Sequence, residues 1–172
     1  MRLFLGIDIP EEIKTEIDHF LRPLQKSQKG WENPHDYHQT LLFIGETPDR
    51  VAEEIKLRLK QFSFAPFKLC LDKFYFFNRR IMYLGFKPSS ELLKLKKLID
   101  ESFPEWVKPE SKPFIPHITV KRWQRYEYDD LASGLATREF PSREFIVSSI
   151  VLFKSEKDQE DKKYHVFHRK FF

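Results

Sequence analysis

Two histidine-x-threonine tripeptides are the residues of this chain most able to do chemistry: His38-Gln39-Thr40 and His117-Ile118-Thr119, 79 residues apart. Successive side chains of a strand alternate between its faces, so the imidazole and hydroxyl of each tripeptide point the same way. If two such strands face each other across a cleft, two imidazoles and two hydroxyls surround one point. That set suits phosphoester cleavage, because near neutral pH one histidine accepts a proton while the other, charged, donates one. The hydroxyls of Thr40 and Thr119 would hydrogen-bond the non-bridging phosphate oxygens and hold phosphorus for in-line attack. A lone His-x-Thr in an apolar strand is more often a structural histidine. With six His and five Thr in 172 residues, about 0.17 copies are expected by chance. Two copies in matching positions favour the chemical reading.

Other chemistries fit less well. Two histidines with no third histidine, carboxylate or thiolate nearby fall short of the three ligands a catalytic metal takes, so neither metal nor cofactor is expected. The five glycines do not cluster and no G-x-x-x-x-G-K-[ST] loop occurs, which excludes ATP chemistry of that type. The single cysteine, Cys70, lies in an alternating strand pattern and reads as a structural thiol.

The elements that must hold the two tripeptides repeat in order. RLFLGIDI (2–9) reads as a strand, followed by a helix from Pro10 with Ile13, Ile17, Phe20, Leu21 and Leu24 at helical spacing. A polar loop, 26–36, precedes the strand YHQTLLFIG. Thr47 then reads as the N-cap of a helix that presents Val51, Ile55, Leu59 and Phe62, and the strand FKLCLDKFYFF follows. The second half begins with the strand RIMYLGFK and a helix capped by Ser89 or Ser90. Next come the strand FIPHITVKR, a short helix near 129–136, a single strand EFIVSSIVLF, and a last strand KYHVFHRKFF. Strands centred near Leu5 and Tyr83 precede the histidines by 33 and 34 residues. The spacing predicts an internal duplication, with pseudo-repeats of about 1–77 and 78–172 within one domain, 1–172.

Composition agrees with one packed domain: 41% apolar, 33% charged, with 18 Phe to fill the core. Net charge +4 leans toward anionic partners such as RNA. No segment reads as a secretory signal or membrane span, so a cytoplasmic location is expected, with no membrane partner.

With these motifs in hand, the chain resembles the 2H phosphoesterases, and within them the RNA 2′,3′-cyclic phosphodiesterases also known as 2′–5′ RNA ligases. RLFLGIDIPEEIK, YHQTLLFIGE, RIMYLGF and KPFIPHITVKR carry the resemblance over nearly the whole chain. It implies an α+β, bilobal fold in which two antiparallel sheets, related by a pseudo-two-fold duplication, face a central cleft with helices outside. It also implies His38 as proton donor to the leaving ribose oxygen, His117 as proton acceptor from water, and Thr40 and Thr119 as phosphate ligands. The expected partner is RNA ending in a 2′,3′-cyclic phosphate, tRNA fragments among the candidates, bound by a monomer that needs no cofactor. Two alternatives stand beside hydrolysis: joining of tRNA halves or cleavage of another phosphodiester, and a protein that binds RNA ends without turnover. Arg122 matches an arginine of the family. On a regular strand it would face away from His117, so contact with phosphate requires the strand to twist, bulge or end. Phe114 and Trp123 flank the second motif as candidates for base stacking. Gln39 replaces the family's usual apolar residue, faces away from the site by alternation, and has no functional reading from the sequence.

Overall fold

In the computed structural model, residues 1–26, 29–108, 113–123, 125–157 and 162–172 are described. The strands are β1 (Arg2–Asp8), β2 (His38–Glu46), β3 (Phe67–Phe77), β4 (Ile81–Phe86), β5 (His117–Arg122), β6 (Glu144–Val147), β7 (Ser149–Lys157) and β8 (Lys162–Phe171). The helices are α1 (Glu11–Leu21), α2 (Asp49–Lys60), α3 (Ser90–Ser102) and α4 (Tyr128–Ala136). The strands form two four-stranded antiparallel sheets, ordered β2-β1-β7-β8 and β5-β4-β3-β6. The fold is α+β, as the sequence implies.

Alternation along β1 separates two environments. Leu3, Leu5 and Ile7 join Ile13 and Ile17 of α1 and Ile55 and Leu59 of α2 in the main core. Phe4, on the opposite face, packs with Val151 and Phe153 in a separate cluster and itself lines the cleft. In the second sheet Met82, Leu84, Ile118 and Val120 join Leu92, Leu95 and Ile99 of α3 in the main core. Burial of these apolar faces, about 25 cal/mol per Å², is what fixes each strand's register and so the direction of its polar residues.

Each sheet draws strands from both halves of the chain. β3 lies in the second sheet, while β7 and β8 complete the first. EFIVSSIVLF is accordingly two strands, not one: it breaks at Ser148, where the chain passes from β6 in one sheet to β7 in the other. Both segments are β-formers, so composition carries no sign of the crossing. Thr47 also differs from its expected role. Its hydroxyl donates to Gly45 O at 2.9 Å, and α2 starts behind Pro48 without a side-chain cap. Ser89 does cap α3, accepting from Leu92 N at 3.1 Å. The β3–β4 hairpin turns at Asn78 and Arg79, both at positive φ (50° and 54°).

Both motif strands carry a bulge. Leu5 pairs with Leu42 and Gly6 with Thr40, leaving Leu41 unmatched. Met82 pairs with Lys121 and Tyr83 with Thr119, leaving Val120 unmatched. From the histidine onward each strand then buries two consecutive residues: Leu41 and Leu42 in β2, Val120 and Lys121 in β5. The extra residue turns the strand over, so the fifth residue after each histidine faces the cleft.

Candidate active site

His38, Thr40, His117, Thr119 and Arg122 all line one cleft of about 250 Å³, together with Arg2, Phe4, Glu32, Asp36, Phe43, Ser155 and Tyr164. The structure thus brings the two motif pairs and Arg122 to one cleft. β2 and β5 are the edge strands that bring the two motifs across from each other.

Each imidazole is held in the same way. His38 Nδ1 lies 2.6 Å from Asp36 O, and His117 Nδ1 lies 2.7 Å from Ile115 O. A carbonyl only accepts, so Nδ1 carries the proton in both rings, and Nε2 is the nitrogen left for substrate. Aromatic rings fix the planes. Phe4 and Tyr164 pack on His38 with centroids at 4.7 and 4.8 Å, and Phe77 and Tyr83 on His117 at 5.2 and 5.5 Å.

Burial among these rings pushes the His38 pKa down to about 4, opposed by the hydrogen bond to Asp36 O and reinforced by His117 and Arg122. His117 is pushed down too, by burial first and Arg122 next, against its hydrogen bond to Ile115 O. Without an anion in the cleft both rings therefore favour the neutral form. This differs from the expectation of one charged and one neutral ring near neutral pH, because burial disfavours the charged form of both.

The same shift bears on stability. An unfolded histidine titrates near 6.5. Between that pH and about 4 the unfolded chain binds a proton that folded His38 refuses. The contribution of neutral His38 is complete above about pH 6.5 and is lost as pH falls through that window, on the order of 3 kcal/mol in all. Denaturant unfolding between pH 7 and 4.5, in phosphate-free buffer, should show that slope, and His38→Ala should flatten it.

Arg122 reaches the cleft because of the Val120 bulge, which answers the geometric difficulty raised by its spacing. Its Nε donates to Glu32 Oε1 at 2.7 Å, and its Nη2 lies 3.4 Å from Thr119 Oγ1. Glu32 thus takes the Nε of the guanidinium and leaves Nη2 beside the motif hydroxyl. The α1–β2 connection, expected as a plain polar loop, delivers Glu32 by docking on β5. Arg122 N donates to Gly30 O at 2.7 Å, Glu32 N donates to Val120 O at 2.9 Å, and buried Lys121 reaches Lys29 O at 2.7 Å. Gly30 has φ +79°, and a Cβ there would lie 2.0 Å from Arg122 O. Gly30→Ala should therefore cost about 1–3 kcal/mol. It should also shrink the rise in thermal midpoint that inorganic phosphate gives, because Glu32 and Arg122 move together.

Gln39 is fully buried. Its Oε1 accepts from His117 N–H and its Nε2 donates to Thr40 O at 2.5 Å. The two aromatic candidates flanking the second motif do not line the cleft. Trp123 packs edge-on against Phe76, and Phe114 packs on the core beneath Lys96. Phe43, 63% exposed, lines it instead. A signal for Phe43 existed, since it stands five residues after His38 as Arg122 does after His117. Glu32, Asp36 and Tyr164 come from a loop, a turn and a distant strand, and no local pattern marks them. Among the described residues no group of three His, Cys, Asp or Glu is placed to hold a metal ion. No helix among them is long and apolar enough to cross a membrane.

The model of the 2′-5′ RNA ligase superfamily matches residues 9–159. A protein of Thermotoga maritima named RNA 2′,3′-cyclic phosphodiesterase is 27% identical over 165 residues, covering 90% of this chain and 87% of its own. One of the same name from Thermus thermophilus is 33% identical, covering 71% of this chain and 68% of its own. Among solved structures, apo LigT of Escherichia coli superposes with a TM-score of 0.79 at 23% identity, over 99% of this chain and 96% of its own, and shares the fold.

Proposed function

The chain belongs to the 2′-5′ RNA ligase superfamily, and from that premise we propose that it opens RNA 2′,3′-cyclic phosphate ends to 2′-phosphomonoesters by two-histidine acid–base catalysis. The observation that carries the reading is the convergence of two ring-stacked imidazoles, each with Nδ1 on a carbonyl, upon one cleft with two motif hydroxyls and an arginine. The relatives' names point to the same substrate class.

Thr40, Thr119 and the terminal nitrogens of Arg122 bind the non-bridging oxygens and hold the phosphorus between the rings. His117 Nε2 takes a proton from water as the water oxygen bonds to phosphorus. The P–O3′ bond breaks, and O3′ receives the proton from His38 Nε2. His117 ends charged and His38 neutral, and exchange with solvent restores the starting state. His38 can begin charged because the bound phosphodiester anion offsets the burial that otherwise keeps it neutral. Every group is supplied by one chain, which is what a monomer requires.

If a 5′-hydroxyl replaces water, the same groups join two RNA ends through a 2′–5′ bond, so cleavage and ligation differ only in the attacking oxygen. The reading is tested with an oligonucleotide ending in a 2′,3′-cyclic phosphate, incubated with protein in excess chelator. Steady multiple turnover is the expected result. Tight binding without product would instead favour an RNA-end binding protein, and loss of turnover with chelator would contradict the metal-independent mechanism.

A further inference from the structure

We propose that the end of the cleft away from the histidines holds a second anion subsite, built on Arg2, for the phosphate of the nucleotide preceding the cyclic end. The proposal rests on the catalytic reading above and extends it to substrate length. Arg2 and Phe4 share a face of β1 by alternation, while Leu3 between them is buried in the core. Arg2 pairs in register with Ser155 of β7, which pairs with Tyr164 of β8, and all three line the same cleft as the histidines. Among the described residues no hydrogen bond or ion pair engages the Arg2 side chain. Glu46, opposite it on β2, has its carboxylate 4.0 Å from the Met1 amino group instead. Arg122, the cation beside the motifs, is by contrast engaged by Glu32. Phe4, Phe43 and Tyr164 line the same cleft as the two arginines, and the charges of both act on Tyr164.

Two cations sharing one cleft with three aromatic rings match phosphate, nucleoside, phosphate: an oligonucleotide end in preference to a cyclic mononucleotide. Gly6, opposite Thr40, is four residues from Arg2 along β1, roughly 13 Å of strand, and the arginine side chain reaches back over part of it. The test compares a ribonucleoside 2′,3′-cyclic phosphate with a trinucleotide bearing the same end. Wild type should favour the trinucleotide by about tenfold or more in kcat/KM, and Arg2→Ala should remove most of that ratio and lower the salt slope for the trinucleotide by about one. A ratio that survives Arg2→Ala overturns the subsite. Calorimetric binding of a trinucleotide ending in a 2′-phosphate, wild type against Arg2→Ala, decides the point independently of turnover. Equal affinities would count against Arg2, whereas absent turnover with a clear Arg2 effect would fault only the catalytic reading.

From a separate observation we infer that Gln39 is a positioning residue that ties the two motifs together. Its amide joins Thr40 O on β2 to His117 N on β5, and these strands are the edges of different sheets, so no ladder of one sheet links them. The buried amide sets the start of β5 against β2, and with it the approach of His117 to Thr40. Gln39→Met keeps the volume and removes both hydrogen bonds. The expected result is a kcat lowered about tenfold with KM within about threefold, and no further loss when combined with His117→Ala. A lowered melting temperature with unchanged kcat, or losses that multiply in the double variant, would overturn it. Wild-type turnover measured alongside separates that failure from failure of the catalytic reading.

Discussion

His38→Ala and His117→Ala are each expected to slow opening of a 2′,3′-cyclic phosphate by about 10²–10⁴-fold, the range for a positioned acid or base. The folds should survive. Each ring hydrogen-bonds only a local carbonyl two residues earlier in the chain, and neutral burial of His38 already opposes folding at low pH. The two losses should fall far short of multiplying in the double variant, because a proton transfer at one ring is of little use without its partner. Rates at pH 7 with circular dichroism on the same samples decide the matter. Full turnover by either single variant would remove that histidine from the mechanism. The pH profile of the wild type should be bell-shaped, its limbs belonging to the coupled pair and not to one ring.

Arg122→Ala should give the next largest loss, about 10²–10³-fold in kcat/KM, as for a charge-stabilising donor removed from a preorganised site. Glu32 and Thr119 fix the guanidinium before substrate arrives, so little reorganisation accompanies binding. Arg122→Lys should recover only a small part of this, since an ammonium cannot hold Glu32 and present two parallel donors at once. Inorganic phosphate affinity, measured by calorimetry, should drop in parallel with the rate. An Arg122→Lys variant with wild-type activity would reduce Arg122 to a background charge.

Much of the site could be read in the sequence because strand periodicity is short. Two residues of separation put His38 beside Thr40 and His117 beside Thr119 whatever the rest of the chain does. Arg122 lay beyond that reach. Five residues of regular strand would turn it outward, and only the unmatched Val120 brings it back. The same bulge at Leu41 exposes Phe43, so recognising one bulge from the repeat would have predicted the other. Trp123 and Phe114 flank the second motif in sequence, but both pack against the core. Gln39 had no reading because its partner is a backbone N–H on the other sheet, 78 residues away. The crossing at Ser148 and the docking of residues 30–32 on β5 are likewise tertiary choices, made by burial and by Gly30 and not by local propensity.

The pKa directions follow the same division. Composition suggests a histidine near its ordinary value. The aromatic rings that enclose each imidazole come from β1, β7 and β8 for His38 and from β3 and β4 for His117, so the depression of both could be known only once those strands were assembled.

Phosphorus NMR of an oligoribonucleotide ending in a 2′,3′-cyclic phosphate, turned over by the protein in ¹⁸O-enriched water, tests the central claim most directly. The account requires a 2′-phosphomonoester carrying one solvent oxygen, formed by wild type and about 10²–10⁴-fold more slowly by His117→Ala. A 3′-phosphomonoester, or a 2′-phosphate formed equally well by that variant, would contradict it.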